Sequence, residues 1–266
     1  MTASAAGRSS PETPWPEGLA RLADYAWCRC ASPIDLLAML LDDDDVGPAL
    51  ERSGVSADAM RRAVSVRRAA KRSLAARCSD FIGGLRRRAD EPSPEERVVE
   101  RVLQRAILRA GSSDGQPVRA LDLLVAIYDE PEGDAGAILR DAGLERYDLL
   151  NAICHGLAKG EADAHLTDAH GVGDARILLH NDKFTPMECV VSALKTLFGK
   201  DDEGAVRIML AAHHDGAAVV GAFDVETARK LVADVTQFGR SHQVALRCTI
   251  DRAESIQRGP HAELLT

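Results

Sequence analysis

The stretch from Asn181 to Leu197, NDKFTPMECVVSALKTL, constrains the architecture of this chain more than any other. Pro186 cannot lie inside a helix but suits its first position, where no backbone amide is needed. Thr185 and Glu188 on either side have the spacing of a capping box: the hydroxyl accepts from a first-turn amide and the carboxylate reaches back to the Thr185 amide. A cap of this kind is worth about 1 kcal/mol. Val190, Val191, Leu194, Leu197 and Phe198 then recur at helical spacing, and Gly199 supplies the stop. Ahead of the helix, Arg176 to His180 (RILLH) reads as a short strand. Asn181, Asp182 and Lys183 therefore stand at a strand-to-helix corner, where polar side chains can face a ligand.

The same periodicities continue to the end of the chain. Asp201 to Asp215 predicts a second helix with Ile208, Met209, Ala212 and His213 on one side, closed by Gly216. Ala218 to Phe223 predicts a strand, and Asp224 starts a third helix carrying Ala228, Leu231, Val232, Val235 and Phe238. Val244 to Ile250 predicts the last strand. Three strands covered on one face by three helices form a compact α+β fold.

NDKFTPMECVV, RIMLAAHHDG from Arg207, VVGAF from Val219 and ALRCTIDRA from Ala245 stand in an order that resembles the ClpS adaptor family, over about Arg176 to Ala253. The resemblance implies a non-enzymatic protein that holds the amino terminus of substrates beginning with Phe, Leu, Trp or Tyr and delivers them to a Clp AAA+ unfoldase of the ClpA kind. It implies a rim for the free α-amine at Asn181, Asp182 and His213, and an apolar hole lined by Leu179, Thr185, Met187, Val190, Met209, Ala212 and Leu246. Three positions depart from the family pattern. Lys183 stands where a second rim carboxylate is usual, Ala212 where a larger aliphatic residue is usual, and Leu231 where the docking helix normally has a lysine. Glu226, Lys230 and Leu231 are the candidate docking residues.

Gly18 to Gly156 carries helical signals and an internal repeat. Ile34-Asp35-Leu36-Leu37-Ala38 matches Leu121-Asp122-Leu123-Leu124-Val125, and Leu50 through Gly54 matches Leu139 through Gly143. Each copy predicts an apolar helix, an exposed acidic turn (Asp42 to Asp45, or Asp129 to Glu132), a second helix ending at glycine, and a third helix. Two such copies bury their apolar faces against each other in an all-α domain. The duplication, closed by YDLLNAICHG from Tyr147, resembles the N-terminal domain of Clp unfoldases, but no GxxxxGK[ST] phosphate loop occurs anywhere in the sequence. The expected organisation is a disordered tail at 1–17, a helical domain at 18–156, a linker at 157–174 and the α+β domain at 175–266. Tethering a receptor-like domain to its adaptor predicts self-docking, within a chain or between copies, through Glu226.

Several chemistries are set aside. A net charge of −8 argues against nucleic acid as the main partner, and Arg67 to Arg88, with eight Lys or Arg, reads as a solvated helix face. No signal-peptide pattern and no apolar run of spanning length occur, which excludes a membrane role and points to the cytoplasm. The six cysteines show no CxxC spacing and read as free thiols; Cys28 and Cys30, two apart on a helix, point in different directions. His155, His165 and His170 fit no common metal-ligand spacing, and neither metal nor cofactor is expected. No GxSxG, HExxH or nucleotide loop supports an enzyme.

Overall fold

The computed structural model describes residues 32–81, 93–111, 117–161 and 174–252. The tail at 1–17, Cys28, Cys30, His165, His170 and most of the expected linker lie outside them. Described in chain order are α1 (Pro33–Leu40), α2 (Val46–Arg52), α3 (Ala57–Phe81), α4 (Pro94–Gly111), α5 (Ala120–Tyr128), α6 (Asp134–Asp141), α7 (Arg146–His155), β1 (Asp174–His180), α8 (Met187–Phe198), α9 (Asp202–Asp215), β2 (Ala217–Asp224), α10 (Val225–His242) and β3 (Arg247–Arg252). Of the described residues, those within 1–43 and 61–138 form one compact unit, and those within 44–60 and 139–266 a second. None of the described helices is long and apolar enough to cross a membrane.

In the first unit α1 packs on α4 and α5. Ser32 caps α1 by accepting the Asp35 amide, with Pro33 just inside, and Ile34, Leu36, Leu37 and Leu40 are buried. At the matching place in α5, the Arg119 amide donates to Asp122 Oδ2 at 2.9 Å, and Leu121, Leu123, Leu124 and Ile127 are buried. Three basic side chains of α3 are tied down within the protein: Arg61 donates to the Leu41 carbonyl, Arg68 pairs with Asp35 at 2.8 Å, and Lys71 pairs with Glu95 and Asp134, while Arg62, Arg67 and Arg72 are exposed. One expectation fails here. Asp42 to Asp45 is exposed, but in the second acidic turn Glu130 is only 2% exposed. The reason is α4, which presents Arg101 and Arg105 to Glu130 at 2.9 and 3.3 Å and Arg109 to Asp129 at 2.5 Å. A paired carboxylate tolerates burial that an isolated one does not.

In the second unit α2 packs on α7. Gly54 and Gly143, the matched helix ends of the repeat, share a left-handed φ of +81° and +80°. Behind each, the next amide returns to the helix, Val55 to the Leu50 carbonyl and Leu144 to that of Leu139. The sheet has the order β2-β1-β3 with both pairings antiparallel, so β1 is central. A register shift opposite Ile177 and Leu178 leaves Val220 as an extra residue in β2. Ile177, Leu179, Leu194, Ala205, Ala228, Val235 and Leu246 share one buried cluster, so α8, α9, α10 and the strands close a single core.

Two sequence expectations are corrected in this part. The capping box at Thr185 and Glu188 does not form: α8 begins at Met187, and Pro186 is itself the N-cap, with φ −58° and ψ 140°. Asp182 takes the Thr185 amide that Glu188 was expected to reach, and the Phe184 amide with it, because its carboxylate sits three and two residues upstream of these donors. The last strand starts at Arg247 rather than Val244. Residues 243–246 are spent on leaving α10: Gln243 adopts a left-handed φ of 55°, and the Val244 amide turns back to the Gly239 carbonyl.

Candidate functional site

The candidate site is built where β1 ends. Leu179 pairs with Ala218 on β2 and Cys248 on β3, so the chain leaves the middle of the sheet at His180 and enters the corner Asn181–Asp182–Lys183. The Asn181 amide donates to the Gly216 carbonyl at 2.9 Å, which fastens the corner to the end of α9. Asp182 Oδ1 then receives the amides of Phe184 at 2.9 Å and Thr185 at 2.7 Å. These two bonds hold a carboxylate in one orientation. Lys183 Nζ lies 5.1 Å from the centroid of the Phe184 ring, a cation–π contact in which the aromatic face receives the ammonium. The Thr185 hydroxyl is buried and has no hydrogen-bond partner among the described residues.

The apolar residues of the expected hole come together. Leu179, Ala212 and Leu246 are buried in one cluster, and Val190 and Met209 pack against it. Met187 is 45% exposed at the start of α8. With Met209 it lines an open groove of about 540 Å³ that Val191, Glu188 and Lys195 also border. His213 is half-buried one helical turn beyond Met209, with its ring edge-on to His214 at 5.6 Å. The candidate docking residues lie elsewhere. Asp224 caps α10 by accepting the Thr227 amide at 2.9 Å, Glu226 and Lys230 are exposed, and Leu231 packs on the core.

Four further side chains, none of them expected at the site from the sequence, gather near the corner. His155, from the end of α7, has its Nε2 2.8 Å from the Ala245 carbonyl. Burial pushes its pKa down, opposed by that hydrogen bond and by the negative charge of Asp182, while Arg247 lowers it further. His180 Nε2 lies 2.7 Å from Thr249 Oγ1, and its pKa is lowered by burial, then by Arg247 and His155. Burial lowers the pKa of Arg247. Burial raises the Cys189 thiol pKa, and Asp182 adds to the rise. His155 could not be found from spacing, because it lies 27 positions before Asp182 and meets the corner only through the fold. Among the described residues no group of three His, Cys, Asp or Glu is placed to hold a metal ion.

Comparison with known proteins covers this same part of the chain. The family model described as "ATP-dependent Clp protease adaptor protein ClpS" matches residues 170–249. The ATP-dependent Clp protease adapter protein ClpS of Roseobacter denitrificans is 48% identical over 79 residues, which span 30% of this chain and 70% of that protein. The protein of the same name from Rhodospirillum centenum is 44% identical over 77 residues, 29% of this chain and 71% of that one. Among solved structures, Agrobacterium tumefaciens ClpS2 bound to L-phenylalaninamide is 29% identical, covering 29% of this chain and 94% of that one with a TM-score of 0.29.

Proposed function

Residues 170–249 make this chain a member of the ClpS family, non-catalytic adaptors of ATP-dependent Clp protease, and on that premise we propose that residues 175–266 hold the amino-terminal residue of substrate proteins and deliver them to a Clp unfoldase. The rim of the pocket is Asn181, Asp182 and His213, with Lys183 beside it, and the hole is Leu179, Thr185, Met187, Val190, Met209, Ala212 and Leu246. The observation that carries this reading is the amide-locked Asp182 carboxylate three residues beyond Leu179, which shares one buried apolar cluster with Ala212 and Leu246. A fixed anionic acceptor above an apolar floor suits an ammonium joined to a bulky hydrophobic side chain. Each hydrogen bond to the ammonium contributes about 1.5–3 kcal/mol, and burial of the side chain a similar amount. The buried Thr185 hydroxyl adds a polar group that a bound peptide can satisfy.

Unfoldase docking falls to the first turns of α10, at Glu226, Lys230 and Leu231, and the protein works in the cytoplasm beside that unfoldase. Residues 18–156 resemble a Clp N-terminal domain by their duplication, and the matched left-handed glycines Gly54 and Gly143 support that reading. The test is fluorescence anisotropy with peptides beginning with Phe, Leu, Trp or Tyr, each against its acetylated copy. The free peptides bind more tightly; equal affinity for both, or none for either, refutes the proposal.

A further inference from the structure

The segment that delivers the chain from α10 to β3 has carbonyls that the sheet does not use. β3 pairs with β1 only from Arg247 onward, so Gln243 to Leu246 must find other partners, although Val244, Ala245 and Leu246 are all buried. Helix α7 supplies them from both of its ends. Arg146, its first residue, donates to the Gln243 carbonyl, and His155, its last, hydrogen-bonds the Ala245 carbonyl at 2.8 Å. In return Gln243 Oε1 receives the Tyr147 amide at 3.4 Å, one of the free donors at the start of α7. The Arg240 guanidinium covers the Tyr147 ring at 4.9 Å. Gly239 permits the approach, since a Cβ there would stand 3.3 Å from Tyr147 Cε2 and 2.9 Å from the Val244 carbonyl oxygen.

This clamp bears on the peptide pocket from two sides. Ala245 immediately precedes Leu246, a residue of the pocket floor, and the ring that holds Ala245 also lies within the electrostatic reach of Asp182 at the rim. It is remote from the docking end of α10, because Glu226 and Arg240 are separated by roughly 21 Å of helix. The self-contact expected at Glu226 is therefore a different one from the contact made here.

We propose that α7 is a working part of the peptide site and that His155 is its positioning residue, holding the Ala245–Leu246 backbone against the pocket. The inference rests on the reading of the pocket as a site for amino-terminal residues. A chain that lacked α7 would leave the carbonyl of buried Ala245, next to Leu246 of the pocket floor, without its donor.

The test uses the full chain and a peptide beginning with free Phe, with its acetylated copy as control. His155→Ala weakens binding of the free peptide by about fivefold, the loss expected of one net hydrogen bond. His155→Gln, whose side-chain amide can still donate to the Ala245 carbonyl, restores affinity to within about twofold of wild type. Arg146→Ala, a substitution at the exposed end of the clamp, weakens binding in the same direction and guards against a folding defect confined to His155→Ala. Wild-type affinity in both His155→Ala and Arg146→Ala overturns the inference while leaving the pocket in place. Failure of Gln to restore binding overturns the positioning role. Failure of the wild type to distinguish free from acetylated peptide removes the pocket, and this inference with it.

Discussion

Asp182 Oδ1 accepts the amide of Thr185 at 2.7 Å, and this bond sets the loop where a strand becomes a helix. The same carboxylate also holds the Phe184 amide, so its orientation is fixed before any ligand arrives. Asp182→Asn keeps an oxygen for the two amides but removes the negative charge. Binding of a peptide with a free amino-terminal Phe is expected to fall roughly tenfold, in keeping with the strength of a charged hydrogen bond. The acetylated peptide should bind no differently. Titration by anisotropy checks this, and an unchanged affinity for the free peptide would show that Asp182 only shapes the loop.

His155 and His180 both have folded-state pKa values below the ordinary histidine value, mainly through burial. A lowered pKa means that the unfolded chain binds more protons than the folded one as the pH falls, so stability rises with pH across that window. The contribution is complete above about pH 6.5 and is lost progressively below it, down through the folded-state values. Thermal melts between pH 7.5 and 5 should show a falling midpoint, and His155→Gln should flatten the slope. An identical slope in that variant would remove His155 as a source.

Gly239 lies inside α10, where alanine is ordinarily the better helix former. Here an added methyl would meet the Val244 carbonyl oxygen at 2.9 Å and Tyr147 Cε2 at 3.3 Å. Gly239→Ala is therefore expected to destabilise by about 1–3 kcal/mol, as overpacking does, rather than to stabilise by propensity. Urea denaturation measures the sign directly.

Cys248 is buried on β3, and burial pushes its thiol pKa up to about 12. At pH 8 only about one molecule in ten thousand carries the reactive thiolate. Cys189 is half-buried and its pKa is also raised. Native labelling with iodoacetamide followed by peptide mass mapping should modify Cys189 well before Cys248, and unfolding should erase the difference. Equal native rates would mean that β3 opens readily.

The sequence by itself determined the local elements. Gly199 and Gly216 end α8 and α9 with left-handed φ values of 61° and 81°, and the Asp224 cap starts α10, because each signal acts within a few residues. The helix ends at Gly54 and Gly143 were legible for the same reason: each closes its helix through bonds inside its own turn. The resemblance of four ordered stretches also located the candidate pocket, at the carboxyl end of β1. Only the tertiary structure decided which of two nearby carboxylates, Asp182 or Glu188, would take the Thr185 amide, since both lie within three residues of it and the backbone path selects between them. Only it decided that Glu130 would be buried, because that depends on arginines of α4 contributed from about 25 to 29 positions away. The meeting of His155 with Ala245, 90 residues apart, belongs to the same class. Local signals encode dihedral preferences and caps, whereas contacts of this range follow from how packed elements satisfy the polar groups that the sheet leaves over.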